Sequence, residues 1–377
     1  MIEMQNEPDG NQSARQLWEQ IFANMVKSED ATLVSPDYDS ADEEARLRTG
    51  LAQAGWTEQE MDARIKIYKA QHENAPVTSP GVSAHVETQL ARLCDDIEAA
   101  MTRLGLDSQA RLARGIEPRD GPYASMTNVI MTRQGIVTVS SFMFRFCGLV
   151  ARAFTRTLSL NPSFWESEDY LEENSCNFLK QQPALTLYWL RIYLSFAITG
   201  THVLVPFQPA NKDEVILFEQ VARAMELFAI GHEYGHHHHG HGRQLEDDQK
   251  QEEFDADRFA IEVGYEVEQQ PLILWNPYLS SGAGGAILLL ALDTLRKINE
   301  IISGNSVPPS DTHPTTIDRL AQFEQLSTSF PDDFKAIKGF RIASVRIMTT
   351  VDACITNSIA SLPPERLKEL RVLLTNR

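Results

Sequence analysis

The chain reads as a succession of helices interrupted once by a short β-rich stretch. Apolar positions recur at intervals of three and four over Ala14–Lys27 and Ser40–Gln71, which predicts amphipathic helical segments. In the second of these, Thr57 followed by Glu60 has the spacing of a capping box. The loop SEDATLVSPDYDS separates the two, and Glu73–Ser83, with Pro76, Pro80 and Gly81, reads as a linker. A long amphipathic helix is expected from Val82 to about Leu104. The period then changes. Asn128–Thr132 and Ile136–Ser140 are rich in β-branched residues, with Arg133, Gln134 and Gly135 between them, the pattern of a hairpin. Ser140 or Ser141 is placed to cap the following helix, SFMFRFCGLVARAFTRTL.

Further on, residues 161 to about 210 open on an aromatic and acidic stretch and continue through the apolar run Ala184–Gly200. That run is short for a membrane span and carries Arg191 near its middle, so it reads as a buried helix. From Asn211 or Asp213 to about His239 the positions are apolar on nearly all sides, which predicts a buried helix. Helices follow over about Gln251–Val267 and Gly282–Ile302, the latter opening on small residues that allow close backbone approach. Another opens after Pro314, and the last segment is helical with Pro363 and Pro364 breaking it. The predicted fold class is α+β, mostly helical. Its expected divisions are a helical N-terminal appendage (1–80), a main domain (82–330, with 161–210 an insertion) and a C-terminal helical segment (331–377).

Charge and cysteine content narrow the setting. With a formal net charge of -18, the chain repels phosphate backbones, so no nucleic-acid partner is expected. Cys94, Cys147, Cys176 and Cys354 form no CxxC pair and are expected to be reduced and mostly buried. The N-terminal stretch MIEMQNEPDG has no basic or apolar leader pattern. A cytoplasmic protein without a membrane partner is therefore the expectation.

The chemistry concentrates on the buried helix, where His232-Glu233-Tyr234-Gly235-His236 follows directly on an apolar run. Residues four apart share a helical face with Cβ atoms about 5–6 Å apart. Two imidazoles so placed can converge on one zinc ion, while Glu233 stands beside it as a base. Seating these groups on a buried helix is costly unless they are paired or metal-bound. Such a motif also arises in helices that hold no metal. Downstream, Glu253 and Asp257 lie four apart on the polar side of a helix. One carboxylate can complete a His₂Glu site and the other can hold a ligand imidazole; Glu252 is a rival third ligand. His313-Pro314 stands at a helix entrance, with Arg319 six residues on, and a cation there can stabilise an oxyanion. His237, His238, His239 and His241 are expected to be mostly exposed.

Taken together, HExxH, ExxxD and HP…R over about residues 85–330 resemble the gluzincin metallopeptidases of the HtpX and CAAX-protease type. The resemblance implies a minigluzincin-type core: an active-site helix, a small sheet with an edge strand, and helical appendages. It implies His232, His236 and Glu253 as ligands of one Zn²⁺ per chain and Asp257 behind them. It further implies Glu233 as catalytic base and His313 or Arg319 assisting at the oxyanion. The stretch from Asn128 to Ser140 is similar to the strand pair of that family. It implies that Asn128, Val129, Ile130 and Met131 bind an extended protein or peptide substrate by β-augmentation. The membrane spans of some members are missing, and the short gap between His236 and Glu253 is similar to soluble peptidases of the ImmA/IrrE type and to the phage-exclusion peptidase Lit. The expected function is a zinc-dependent endopeptidase, of defence or regulatory type if Lit-like. The alternatives are a non-catalytic zinc-binding regulatory protein with a degenerate peptidase fold, and a metal-storage protein that uses the histidine cluster.

Overall fold

The computed structural model describes residues 10–27, 40–53, 55–72, 84–106, 112–117, 119–129, 134–167, 170, 172–206, 211–241, 248–269, 275–305, 313–326 and 337–375. Over these the protein is α+β and mostly helical, with one three-stranded mixed sheet. The expected loop 28–39 and linker Glu73–Ser83 lie outside the described residues.

Helices α1 (Gly10–Lys27), α2 (Ser40–Gln53), α3 (Glu58–His72) and α4 (Ala84–Arg103) precede the strands β1 (Leu112–Glu117), β2 (Ala124–Asn128) and β3 (Gly135–Ser140). The expected capping box forms at α3: the Thr57 N–H donates to Glu60 Oε2 at 3.0 Å and Glu60 N–H to Thr57 Oγ1 at 3.4 Å. The strand order is β1-β3-β2, with β1 parallel and β2 antiparallel to β3. The hairpin is present, but its first strand lies earlier than expected, ending at Asn128, which pairs with Gly135. β1 was not anticipated, because LARGIE shows no alternation and carries Arg114 at its centre.

Alternation on the sheet separates two surfaces. Leu112, Ile116, Val137 and Val139 join the main core. Ala113 and Ile136 face the other way, where Ala14 and Trp18 of α1 cover them. Gly115 leaves the space that the Trp18 indole fills, since a Cβ there would overlap its ring. Thus α1, in the expected N-terminal appendage, is the second layer over the sheet.

Beyond the sheet run α5 (Ser141–Leu160), α6 (Pro162–Glu166), α7 (Glu172–Lys180), α8 (Pro183–Thr199), α9 (Lys212–His239) and α10 (Gln249–Glu268). They are followed by α11 (Pro277–Ser280), α12 (Ala283–Ser303), α13 (Thr316–Leu326), α14 (Lys338–Ala360) and α15 (Pro364–Thr375). The Ser140 hydroxyl caps α5, accepting from the Phe142 N–H at 3.1 Å. In α8, Trp189, Tyr193 and Phe196 are buried while Arg191 is exposed, so the central charge faces outward and the helix packs by its other sides. Among the described residues no helix is long and apolar enough to cross a membrane. The core runs continuously from α4 through the sheet to α14, whose Ile347, Met348, Val351 and Ile355 belong to it. The four cysteines are free, and three of them are buried.

Candidate functional site

α9 is held at its start by the Asn211 N–H, which donates to Glu214 Oε2 at 3.3 Å. It then runs through the core with Val221, Met225, Leu227 and Ile230 buried. The small residues of α12 act as expected: a Cβ on Gly284 would overlap the Ala224 backbone of α9. On the side towards α10 the approach depends on Gly231 and Gly235. A Cβ would stand 3.4 Å from Ala260 Cα at the first and 2.8 Å from Ala256 Cα at the second. Each glycine precedes a histidine of the motif. The close contact of the two helices therefore carries Glu253 and Asp257 up to the two imidazoles.

His232 and His236 turn their Nε2 atoms to one point, 3.0 Å apart. Glu253 closes the triangle, with Oε2 at 3.4 Å from His232 Nε2 and Oε1 at 3.6 Å from His236 Nε2. Among the described residues these three form the group whose ligand atoms all lie within 4.8 Å of one another; Glu252 is not part of it. Tetrahedral zinc with ligands at about 2.0–2.2 Å has ligand–ligand edges of about 3.3–3.6 Å. The two imidazole–carboxylate separations fall in that range, the imidazole–imidazole separation of 3.0 Å is shorter, and the donor set of two imidazoles and one carboxylate suits zinc.

Behind the triangle, His232 Nδ1 lies 2.9 Å from Asp257 Oδ1. Arg319 grips the same carboxylate in two-pronged fashion, Nε to Oδ2 at 2.6 Å and Nη2 to Oδ1 at 2.5 Å. Its Nη1 is 3.5 Å from Glu253 Oε2. His313 Nδ1 lies 3.0 Å from Glu253 Oε1 while the rest of the ring is exposed. The helix behind it starts at another capping box, Thr315 N–H to Asp318 Oδ2 at 3.2 Å and Asp318 N–H to Thr315 Oγ1 at 3.2 Å.

The charges follow from this wiring. Burial alone would lower the His232 pKa, but hydrogen bonds to Asp257 and Glu253 outweigh it and raise it to about 9. His236 falls to about 3, through burial and the neighbouring His232 charge. Burial would raise Glu253, yet the His232 hydrogen bond and charge and the Arg319 charge bring it down to about 2. Asp257 is likewise lowered, Arg319 overcoming its burial. Burial raises Glu233, with the Glu253 charge acting in the same direction and the His232 charge opposing.

The Met126 backbone N–H faces the Glu233 carboxylate and works against burial, towards a lower pKa. Met126 belongs to β2, which among the described residues is an edge strand paired with β3. The bonds Ser140 N–H to Tyr123 O and Val129 N–H to Gln134 O set which β2 residues bond inward. Ala124, Met126 and Asn128 consequently turn their backbone groups to the outer edge.

The structure thus brings His232, Glu233, His236, Glu253, Asp257, His313 and Arg319 together. Arg319 is turned onto Asp257 and Glu253 within the charge network. Asn128 ends the edge strand and Val129 lies just past it, while Ile130 and Met131 lie outside the described residues. The expectation of an exposed histidine cluster is corrected. His237 is buried, His238 and His241 are half-buried, and of the four only His239 is exposed. The cause is Gly135 at the start of β3, where a Cβ would meet the His237 ring at 2.6 Å, so the last turn of α9 packs on the sheet.

Comparison with known families matches residues 187–339 to the family model described as Peptidase U49. That stretch contains every histidine, carboxylate and arginine of the site and none of the sheet. No curated protein and no solved structure matches the chain.

Proposed function

We propose that this protein is a zinc-dependent endopeptidase, with the ion on His232, His236 and Glu253 and with Glu233 as general base. The observation that carries the reading is the pair of Nε2 atoms 3.0 Å apart, with one Glu253 oxygen 3.4 Å from His232 Nε2 and the other 3.6 Å from His236 Nε2, and with the Glu233 carboxylate adjoining them. The peptidase family match over the same residues supports hydrolysis of peptide bonds. An acidic chain with no membrane-spanning helix among its described residues is consistent with action in the cytoplasm, as a defence or regulatory protease.

A zinc ion held there would supply Lewis acidity and make water acidic enough to ionise near neutral pH. The residues divide the remaining work. Glu233 takes a proton from the attacking water and passes it to the departing amine. Asp257 accepts the His232 Nδ1 proton and keeps Nε2 free to ligate, and Arg319 anchors Asp257. His313, exposed beside Glu253, is positioned to donate to a developing oxyanion. The outward Ala124 backbone and the Met126 carbonyl bind an extended peptide as an added strand, which sets its carbonyls alongside Glu233.

The reading is tested by expressing the wild-type chain and Glu233→Gln in cells and comparing new protein termini. Purified, both should bind one zinc ion; only the wild type should create termini. Equal sets of termini from the two would end the proposal. Zinc bound by both, with no termini from either, would favour the non-catalytic regulatory alternative.

A further inference from the structure

α9 ends at Gly240, which takes the left-handed conformation at φ 70° and ψ 26°. The Gly240 N–H donates to His237 O at 3.1 Å and the His241 N–H to His236 O at 3.0 Å. This paired reversal is a Schellman turn, and it folds residue 241 back over residue 236. The His241 ring accordingly lies against the His236 ring, with the two Nδ1 atoms 3.0 Å apart. His241 is fixed from two further sides. Its carbonyl accepts from Asn128 Nδ2 at 2.9 Å, and its ring stacks on His239 with centroids 5.2 Å apart.

We infer that His241 is the positioning residue for His236. The inference rests on the reading of His232, His236 and Glu253 as zinc ligands. A ligating imidazole nearly always donates its second N–H to a partner that fixes its tautomer and its plane. His232 has Asp257 for this purpose. Among the described residues the atom placed at His236 Nδ1 is not a carboxylate oxygen but His241 Nδ1, which as an acceptor holds the proton on His236 Nδ1 and leaves Nε2 to bind metal. Asn128 links this support to the end of the edge strand. The strand that would bind substrate and the ligand that would hold zinc therefore share one connected set of hydrogen bonds.

The test uses the full chain with Zn²⁺ and Co²⁺ as probes. Zinc affinity is measured by competition with a chromophoric chelator, and the site geometry by the visible absorption of the cobalt form. His241→Ala should weaken zinc binding by about 10- to 100-fold and shift the cobalt spectrum. His241→Asn, whose Oδ1 occupies nearly the position of Nδ1, should restore both. Wild-type zinc affinity and cobalt spectrum in His241→Ala would overturn the inference. So would a His241→Asn variant as impaired as His241→Ala, because the role would then be packing. A wild-type chain that binds no zinc would refute the zinc-peptidase reading itself, a separate result from either of these.

Discussion

Replacing Gly235 with alanine would put a methyl group 2.8 Å from Ala256 Cα and 3.0 Å from Ala256 O. Ordinary carbon–carbon contact is about 3.5–4.0 Å, so α9 and α10 would have to part by roughly 0.7–1.2 Å. Both neighbours are backbone atoms and cannot swing aside. Overpacking of this kind costs about 1–3 kcal/mol, offset by about 1 kcal/mol of helix propensity gained on losing a glycine. At Gly231, one turn earlier, the same methyl would meet Ala260 at 3.4 Å, nearly ordinary contact. That variant should keep most of the roughly 1 kcal/mol gain. Two identical substitutions four residues apart should thus differ by about 1–3 kcal/mol in denaturant unfolding of the metal-free chain. The larger effect should fall on zinc. Ligand distances are set to within about 0.2 Å, and the shift moves Glu253 relative to both imidazoles by several times that. Chelator competition should show at least about a tenfold loss for Gly235→Ala, or 1.4 kcal/mol, and little change for Gly231→Ala. A Gly235→Ala protein as stable as Gly231→Ala, with wild-type zinc affinity, would refute the close-contact reasoning.

Three other expectations follow from named contacts. Burial raises the pKa of Glu226 from an ordinary 4.5 to about 8, the Gln89 hydrogen bond and Arg223 opposing. The folded chain therefore holds this proton more tightly than the unfolded chain. The associated stability is full below pH 4.5 and is lost as pH rises through about 8, by at most about 5 kcal/mol. Glu226→Gln should match the wild type near pH 5 and exceed it by a few kcal/mol near pH 9; parallel unfolding curves at the two pH values would contradict this. Arg319→Met leaves Asp257 buried without its two-pronged partner and should cost about 3–5 kcal/mol in equilibrium unfolding. A loss under about 1 kcal/mol would show that His232 alone suffices. Trp18→Ala empties the space above Gly115 and should cost about 3–5 kcal/mol. It should also speed proteolytic nicking within α1, and unchanged nicking would show that α1 is not a layer of the fold.

How far the chain could be read in advance depended on whether the signal was local. The α9 helix announced itself by an apolar run ending in histidines four apart, and Glu253 with Asp257 by the same spacing on one polar face. The small residues opening α12 foretold the tight contact with Ala224. β1 was missed because a strand held by a parallel neighbour, with Arg114 at its centre, shows no alternation. β2 was placed too late because its half-buried and exposed residues carry little pattern. The return of His241 over His236 follows from Gly240, whose left-handed turn is a property of backbone geometry; the histidine run alone suggested a solvated tract. Gly231 and Gly235 were visible, but their use required Ala256 and Ala260 on another helix.

The site is assembled from two separate stretches of chain. Every group that would hold the ion or move a proton lies between His232 and Arg319, whereas the strand that would grip the substrate backbone lies between Ala124 and Asn128. Selection on the earlier stretch could retarget the scissors without resharpening the blades. Variation in what is cut should then accumulate in and around the hairpin, while the means of cutting stays as it is.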